Sequence, residues 1–169
     1  WYEIPTEVIN NITKRNIIMV FSAGNYGPNG SSLTSPAIFD NTIAVGMSFN
    51  DTSPFMMSSV GPRPSGLQAP DLVAPGYNII SYGQDGQLKM GTGTSFAAPF
   101  VTGAIAVLKG YFTNSSPFKI KAALLAGANF SKIGIDPIYQ GSGFLDVKKA
   151  FDLLNSCLLY TSDAADELD

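Results

Sequence analysis

Histidine is absent from this 169-residue chain, and that absence limits the chemistry that the chain can complete alone. Imidazole is the usual general base near neutral pH, so a reaction that needs one requires residues from elsewhere. A single cysteine excludes an internal disulfide and a multi-cysteine zinc site. Charged residues make up 14% of the chain, below the roughly 25% of an ordinary soluble domain.

Long apolar stretches and excess positive charge are also lacking. Apolar runs such as Asn16–Ala23 are far shorter than the roughly 20 residues that span a bilayer, so we predict no transmembrane segment. The formal net charge of −3 gives no electrostatic basis for nucleic-acid binding. The chain begins with Trp1 and shows no signal-peptide pattern. We therefore expect a piece of a longer protein.

Hydrophobic residues are plentiful at 45%, as are glycine (17) and proline (11), which favours one compact, loop-rich domain. Amphipathic helices alternate with short apolar runs, so we predict an α/β fold with a mostly parallel sheet flanked by helices. Asn16–Ala23 reads as a strand buried on both faces, and Thr94–Tyr111 as a helix buried all round. The other predicted strands are Thr42–Gly46, Asp71–Ala74 and Asn78–Ser81, and the other helices are Ile4–Lys14, Pro117–Ala128 (Phe118, Ala122 and Leu125 on one face) and Asp146–Leu154.

The C-terminal segment differs in character from the rest. Residues Cys157–Glu167 read CLLYTSDAADE, which resembles the in-frame translation of a sequencing adapter. Processing and sequencing scars are excluded from fold reasoning. A natural, acidic, frayed C-terminus is the alternative. We therefore expect one authentic domain over residues 1–156 and a non-native tail over residues 157–169.

The segment Gly91–Gly103 (GTGTSFAAPFVTG) carries the clearest chemical pattern. Glycine lets the backbone approach a ligand closely, and a helix N-terminus offers unpaired N–H groups and a positive dipole end. Ser95 would lie at that end with its hydroxyl facing a cleft. The simpler alternative is that Thr94 or Ser95 is an N-cap residue.

Gly93–Gly103 resembles the nucleophile signature of the subtilisin-like serine proteases (peptidase S8), with Phe100 where that family usually has a non-catalytic histidine. The resemblance implies that Ser95 is the nucleophile. Phe21–Asn25 (FSAGN) is similar to the family's strand-end segment, whose asparagine donates to the oxyanion. It implies that Asn25 contributes to the oxyanion hole, whereas a Gly-Asn pair taken alone is usually a turn.

Other segments are similar to the family in the same order, so the resemblance covers roughly residues 17–151. It implies the C-terminal part of a subtilisin-like peptidase domain, truncated at the N-terminus. Asp40 and Asp71 are then structural and not triad acids. Aromatic residues have two readings, as substrate subsites or as packing: Tyr26, Tyr77, Tyr82 and Phe96. The similar segments are Thr42–Gly46, Ser58-Ser59 with Gly61-Pro62, Pro70–Gly76 and Gly141–Val147.

The activity implied by the resemblance is serine endopeptidase chemistry through an acyl-enzyme. The family's catalytic aspartate and histidine motifs precede the oxyanion asparagine, and neither occurs here. We expect a fragment of an active enzyme that is inactive alone. The alternative is a non-catalytic binding or scaffold module, a pseudoprotease that lost its base.

The resemblance also implies partners and location. A polypeptide substrate is expected, with no nucleic acid, no membrane span and a monomeric state. The chemistry needs no metal or redox cofactor; family members often bind structural calcium, but no residue pattern here locates a site. Secretion is the family's habit, and five Asn-x-Ser/Thr sequons add weak support. They begin at Asn11, Asn29, Asn50, Asn114 and Asn129.

Overall fold

The protein is an α/β structure, in a computed structural model that describes residues 6–49, 53–130 and 136–166, the last ten by backbone alone. The predicted start of the first helix, Ile4-Pro5, lies outside the described residues. In chain order the elements are α1 (Thr6–Thr13), β1 (Val20–Ser22), β2 (Ile43–Ser48), β3 (Leu72–Pro75), β4 (Ile79–Tyr82), β5 (Leu88–Gly91), α2 (Thr94–Tyr111), α3 (Pro117–Gly127), a 3₁₀ turn (Pro137–Tyr139) and α4 (Val147–Asp166).

A parallel sheet forms the centre of the fold, as predicted. Its strand order is β1-β2-β3, with Val20 opposite Ile43 and Val45 opposite Leu72. The strands β4 and β5 form a separate antiparallel hairpin. The sequence pattern predicts only the first strand of that hairpin, because β5 (LKMG) is short and its first three residues are exposed.

The prediction of a first strand buried on both faces is wrong. The strand β1 covers only three residues, and each is half-buried. It pairs with β2 along one edge, and no strand in the described part of the chain pairs with its other edge. The strand β2 lies between two neighbours, and all six of its residues are buried. Position in the sheet therefore determines burial here more than composition does.

Helix α2 packs across all three parallel strands, and its bounds are those predicted. Ala97, Val101 and Leu108 are fully buried against the sheet. The predicted burial all round is wrong, because Phe100 and Val107 are 44% and 64% exposed. One face of α2 lies on the sheet, while its opposite face meets none of the described elements closely enough to be covered.

Helix α3 follows a serine cap, since the side chain of Ser116 accepts a hydrogen bond from the Lys119 N–H. Its predicted face is wrong: Phe118 is 79% exposed, whereas Ile120 and Leu124 are fully buried. The helix is apolar on several sides, so packing against α4 decides which side is buried.

Close backbone packing joins α3 and α4. A Cβ added at Gly127 would lie 2.7 Å from the backbone nitrogen of Ala150, so only glycine allows this approach. Helix α4 continues beyond the predicted end at Leu154, because no glycine or proline follows to interrupt it.

We expect the Leu108→Ala substitution to lower the free energy of unfolding by about 2–5 kcal/mol, because it leaves a cavity where α2 meets the sheet. Val107→Ala on the exposed side of the same helix is the matched control and should change stability by less than about 0.5 kcal/mol. Urea denaturation followed by circular dichroism measures both. Equal losses for the two variants would contradict the packing described here.

Candidate functional site

The candidate site lies where the chain leaves the carboxyl end of β1, the edge at which open α/β sheets bind ligands. Here Gly24 and Asn25 follow the strand, and the Asn25 side chain is exposed. The loop is held from one side by Ser59. The Ser59 N–H donates to the Gly24 carbonyl at 2.8 Å, and the Tyr26 N–H donates to the Ser59 hydroxyl at 3.0 Å.

Thr94, the first residue of α2, holds Asn25 from the other side. The Thr94 N–H donates to Asn25 Oδ1 at 2.9 Å, and the Thr94 hydroxyl donates to the same oxygen at 3.1 Å. That hydroxyl also accepts from the Gly24 N–H at 3.2 Å. Thr94 is fully buried. Its side chain therefore connects the end of β1 to the start of α2.

These bonds orient the Asn25 amide. A backbone N–H can only donate, so the side-chain atom that faces Thr94 must be the carbonyl oxygen. The Nδ2 group consequently points away from Thr94, and no described residue accepts a hydrogen bond from it. Gly93, with φ of 156°, leaves this space open, because a Cβ there would lie 3.2 Å from Asn25 Nδ2.

Ser95 is the second residue of α2, and its side chain is exposed. Neither Ser95 nor Thr94 is the N-cap: that position is Gly93, and it makes no side-chain cap bond. The first N–H groups of a helix have no partner within it and carry the positive end of the dipole. No described residue uses the Ser95 N–H. The structure thus brings Ser95 and Asn25 to opposite sides of Thr94.

An open groove of about 440 Å³ begins at Ser95. It runs between the unpaired edge of β1 and the adjoining face of α2. Its remaining lining residues are Val20, Phe21, Ser22, Ala98, Pro99 and Thr102. Among the described residues none hydrogen-bonds to the Ser95 hydroxyl, and the chain holds no histidine. This arrangement supplies a hydroxyl and two N–H donors, but no base.

The carboxylates considered as alternatives lie elsewhere. Asp71 precedes β3, at the end of the parallel sheet opposite Asn25, and forms a salt bridge with Arg63 at 2.6 Å. Asp40 is exposed and accepts a hydrogen bond from the Ser65 hydroxyl. Both make structural contacts, and neither contacts Ser95.

The aromatic candidates separate into two groups. Tyr77 packs against Phe49 and Phe55, with ring centroids 4.7 and 5.1 Å apart, and the ring of Phe96 covers Gly91. For these two the packing interpretation holds. Tyr26 and Tyr82 are exposed, at 67% and 75%. A role for them in substrate binding stays a prediction.

The sequence patterns do not reveal the part that Thr94 and two serines play. Ser58 and Ser59 are buried, and their hydroxyls accept from the backbone N–H groups of Met47 and Tyr26. The Ser-Ser-x-Gly-Pro pattern marks both serines, yet it does not say that they hold the loop bearing Asn25. Only the fold shows which backbone groups they reach.

Comparison with known proteins gives the family. The model of the Subtilase family (Peptidase_S8) matches residues 3–150. The human membrane-bound transcription factor site-1 protease is 34% identical over 154 residues, covering 86% of this chain and 14% of that protein. The major intracellular serine protease of Bacillus subtilis is 31% identical over 145 residues, covering 82% of this chain and 44% of that protein.

A solved structure supports the same assignment. The PatG macrocyclase in complex with peptide has a TM-score of 0.78 and 26% identity, covering 90% of this chain and 48% of that chain. The chain thus spans less than half the length of each relative named here. In the described part of the molecule, no helix is long and apolar enough to cross a bilayer. The family match, the parallel sheet and the shared fold together show that the chain belongs to the subtilase family of serine proteases.

Proposed function

We propose that the protein to which this chain belongs is a serine endopeptidase with Ser95 as its nucleophile. The observation that carries the proposal is the orientation of the Asn25 amide by Thr94, next to an exposed serine at a helix N-terminus. A buried threonine that only stabilised the fold would not need to hold an exposed amide with its donor group facing outward.

The proposed reaction begins with attack of the Ser95 oxygen on a peptide carbonyl, which forms a tetrahedral intermediate. Its oxyanion accepts hydrogen bonds from Asn25 Nδ2 and the Ser95 N–H, both already oriented before substrate binds. The leaving amine then departs, and water hydrolyses the acyl-enzyme. Because its donors are fixed in advance, the site stabilises the developing charge without reorganising.

The general base and the carboxylate that orients it come from residues outside this sequence. The relatives are at least twice as long as the part that matches. The unpaired edge of β1 and the groove beside Ser95 offer a place for further strands and for the base that they would carry. Alone, the chain is inactive in this proposal.

The competing proposal is a scaffold that kept the fold and lost its base. Its support is the complete absence of histidine. The coding sequence upstream of Trp1 separates the two proposals. An open frame with Asp-Thr-Gly-like and His-Gly-Thr-like motifs would exclude the scaffold, whereas a start codon within a few codons of Trp1 would exclude the peptidase.

Several finer assignments belong to this proposal. We place the authentic domain in residues 1–156 and treat residues 157–169 as a non-native tail. The substrate is a polypeptide, the chemistry requires no cofactor, and the protein is monomeric and secreted. Secretion rests on the family's habit, because the names of the relatives place one at a membrane and another inside cells.

The isolated chain should not react with a fluorophosphonate probe, because nothing in it removes the proton of the Ser95 hydroxyl. Intact mass spectrometry measures the labelling, with subtilisin as the positive control and Ser95→Ala as the blank. Stoichiometric labelling at Ser95 would contradict the proposed need for an external base.

In the longer protein that contains the base, Asn25→Ala should lower kcat by about 10²–10³, the magnitude known from subtilisin itself, with little change in KM. Thr94→Val removes one hydroxyl and should lower kcat by roughly 3–10-fold, since a single hydrogen bond contributes about 0.5–1.5 kcal/mol. Steady-state hydrolysis of a peptide substrate measures both variants.

Two further variants separate orientation from stability. Thr94→Ser keeps the hydroxyl and should retain most of the activity, whereas Thr113→Val changes an exposed threonine beyond the end of α2 and should have no effect. Equal kcat values for Thr94→Val and the parent would show that Thr94 does not orient the amide.

A further inference from the structure

A buried group of charges and backbone carbonyls lies at the amino end of the parallel sheet, opposite the candidate site. The Arg63 side chain is 2% exposed and donates from Nη2 to Asp71 Oδ2 at 2.6 Å. Its guanidinium also donates to the carbonyls of Ala37 and Gln68, at 3.3 and 2.8 Å. The Ala44 N–H donates to the same carboxylate oxygen at 2.7 Å.

Lys121 reaches this group from helix α3. Its Nζ donates to the carbonyls of Thr42 and Asp40, at 2.8 and 3.3 Å, and lies 4.0 Å from Asp71 Oδ1. Burial lowers the pKa of Lys121, while the negative charge of Asp71 acts in the opposite direction and favours the ammonium form. Four backbone carbonyls and one carboxylate therefore face two side-chain cations; we name this set the oxygen cluster.

Carbonyl and carboxylate oxygens that converge in a protein interior need a cation or a donor, because buried acceptors are costly when unpaired. Ca²⁺ takes six to eight oxygens of these kinds. In the oxygen cluster the partners are Arg63 and Lys121. They join three segments of the chain: the residues that lead into β2, the loop before β3, and α3. Their presence leaves no room for a resident metal ion at this corner.

We propose that Arg63 and Lys121 are built-in cations that replace a metal ion in the oxygen cluster, and that removal of the Lys121 charge converts the cluster into a Ca²⁺ site. This proposal concerns the end of the sheet away from Ser95 and does not depend on peptidase activity. Its failure would therefore leave the proposed function untouched.

Lys121 is the residue to change because its side chain is 26% exposed, so an ion can enter where its ammonium group lies. Removing it leaves the Thr42 and Asp40 carbonyls and Asp71 Oδ1 around one position that borders solvent. Water molecules can complete the coordination shell there. Arg63 stays in place and keeps the other half of the cluster intact.

The experiment is a Ca²⁺ titration of the complete 169-residue chain and its Lys121→Met variant by calorimetry, with thermal unfolding as a second readout. The parent should show no binding and the same unfolding midpoint in Ca²⁺ and in EDTA. Lys121→Met should bind Ca²⁺ with a Kd of about 10⁻⁴–10⁻³ M. Its midpoint should rise by roughly 3–5 °C when Ca²⁺ is at tenfold excess over Kd.

Two controls accompany the titration. Lys119→Met removes an exposed lysine of the same helix, and Lys121→Arg keeps the positive charge in the cluster. Neither should bind Ca²⁺. Should Lys121→Met be unfolded, Lys121→Gln is titrated in the same way. Saturable Ca²⁺ binding by the parent or by Lys119→Met, or failure of both Lys121 variants to bind, overturns the proposal.

Discussion

The contact between Thr94 and Asn25 is the interaction on which the site depends. Two donors of one buried residue meet a single amide oxygen, at 2.9 and 3.1 Å, and the threonine hydroxyl also receives the N–H of Gly24. This joins residues almost 70 positions apart, at the end of a strand and the start of a helix. Everything proposed for Ser95 follows from it, because the same contact fixes the first turn of α2 relative to the loop bearing the donor amide.

The two ends of the sheet have different physical characters. At the carboxyl end, exposed donors and an unpaired strand edge leave hydrogen-bonding capacity free, which costs stability but serves binding. At the amino end, Arg63, Asp71 and Lys121 satisfy one another and the nearby carbonyls. The core between them, from β2 through α2 to Leu124 of α3, is apolar. It separates a region arranged for chemistry from one arranged for stability.

Much of this fold can be predicted from sequence, where local pattern and packing agree. The bounds of α2 follow from the residues themselves, since small side chains after Gly93 favour a helix packed on a sheet. The strand β5 cannot be predicted in that way, because LKMG has no apolar alternation. The buried face of α3 also escapes prediction: the helix is apolar on several sides, and contact with α4 selects Ile120 and Leu124 instead of Phe118. Ser95 and Asn25 are found by resemblance, whereas the part played by Thr94 depends on a contact across 69 positions that no local pattern encodes.

The central claim is that Asn25 Nδ2 and the Ser95 N–H face the same oxyanion. A crystal structure of the longer, base-containing protein after reaction with a fluorophosphonate tests it most directly, because the bound phosphonyl oxygen stands in the place of the oxyanion. We predict a covalent bond from phosphorus to Ser95 Oγ, with the phosphonyl oxygen about 2.7–3.1 Å from both nitrogens. A phosphonyl oxygen that lies away from Asn25, or an adduct on another residue, would contradict it.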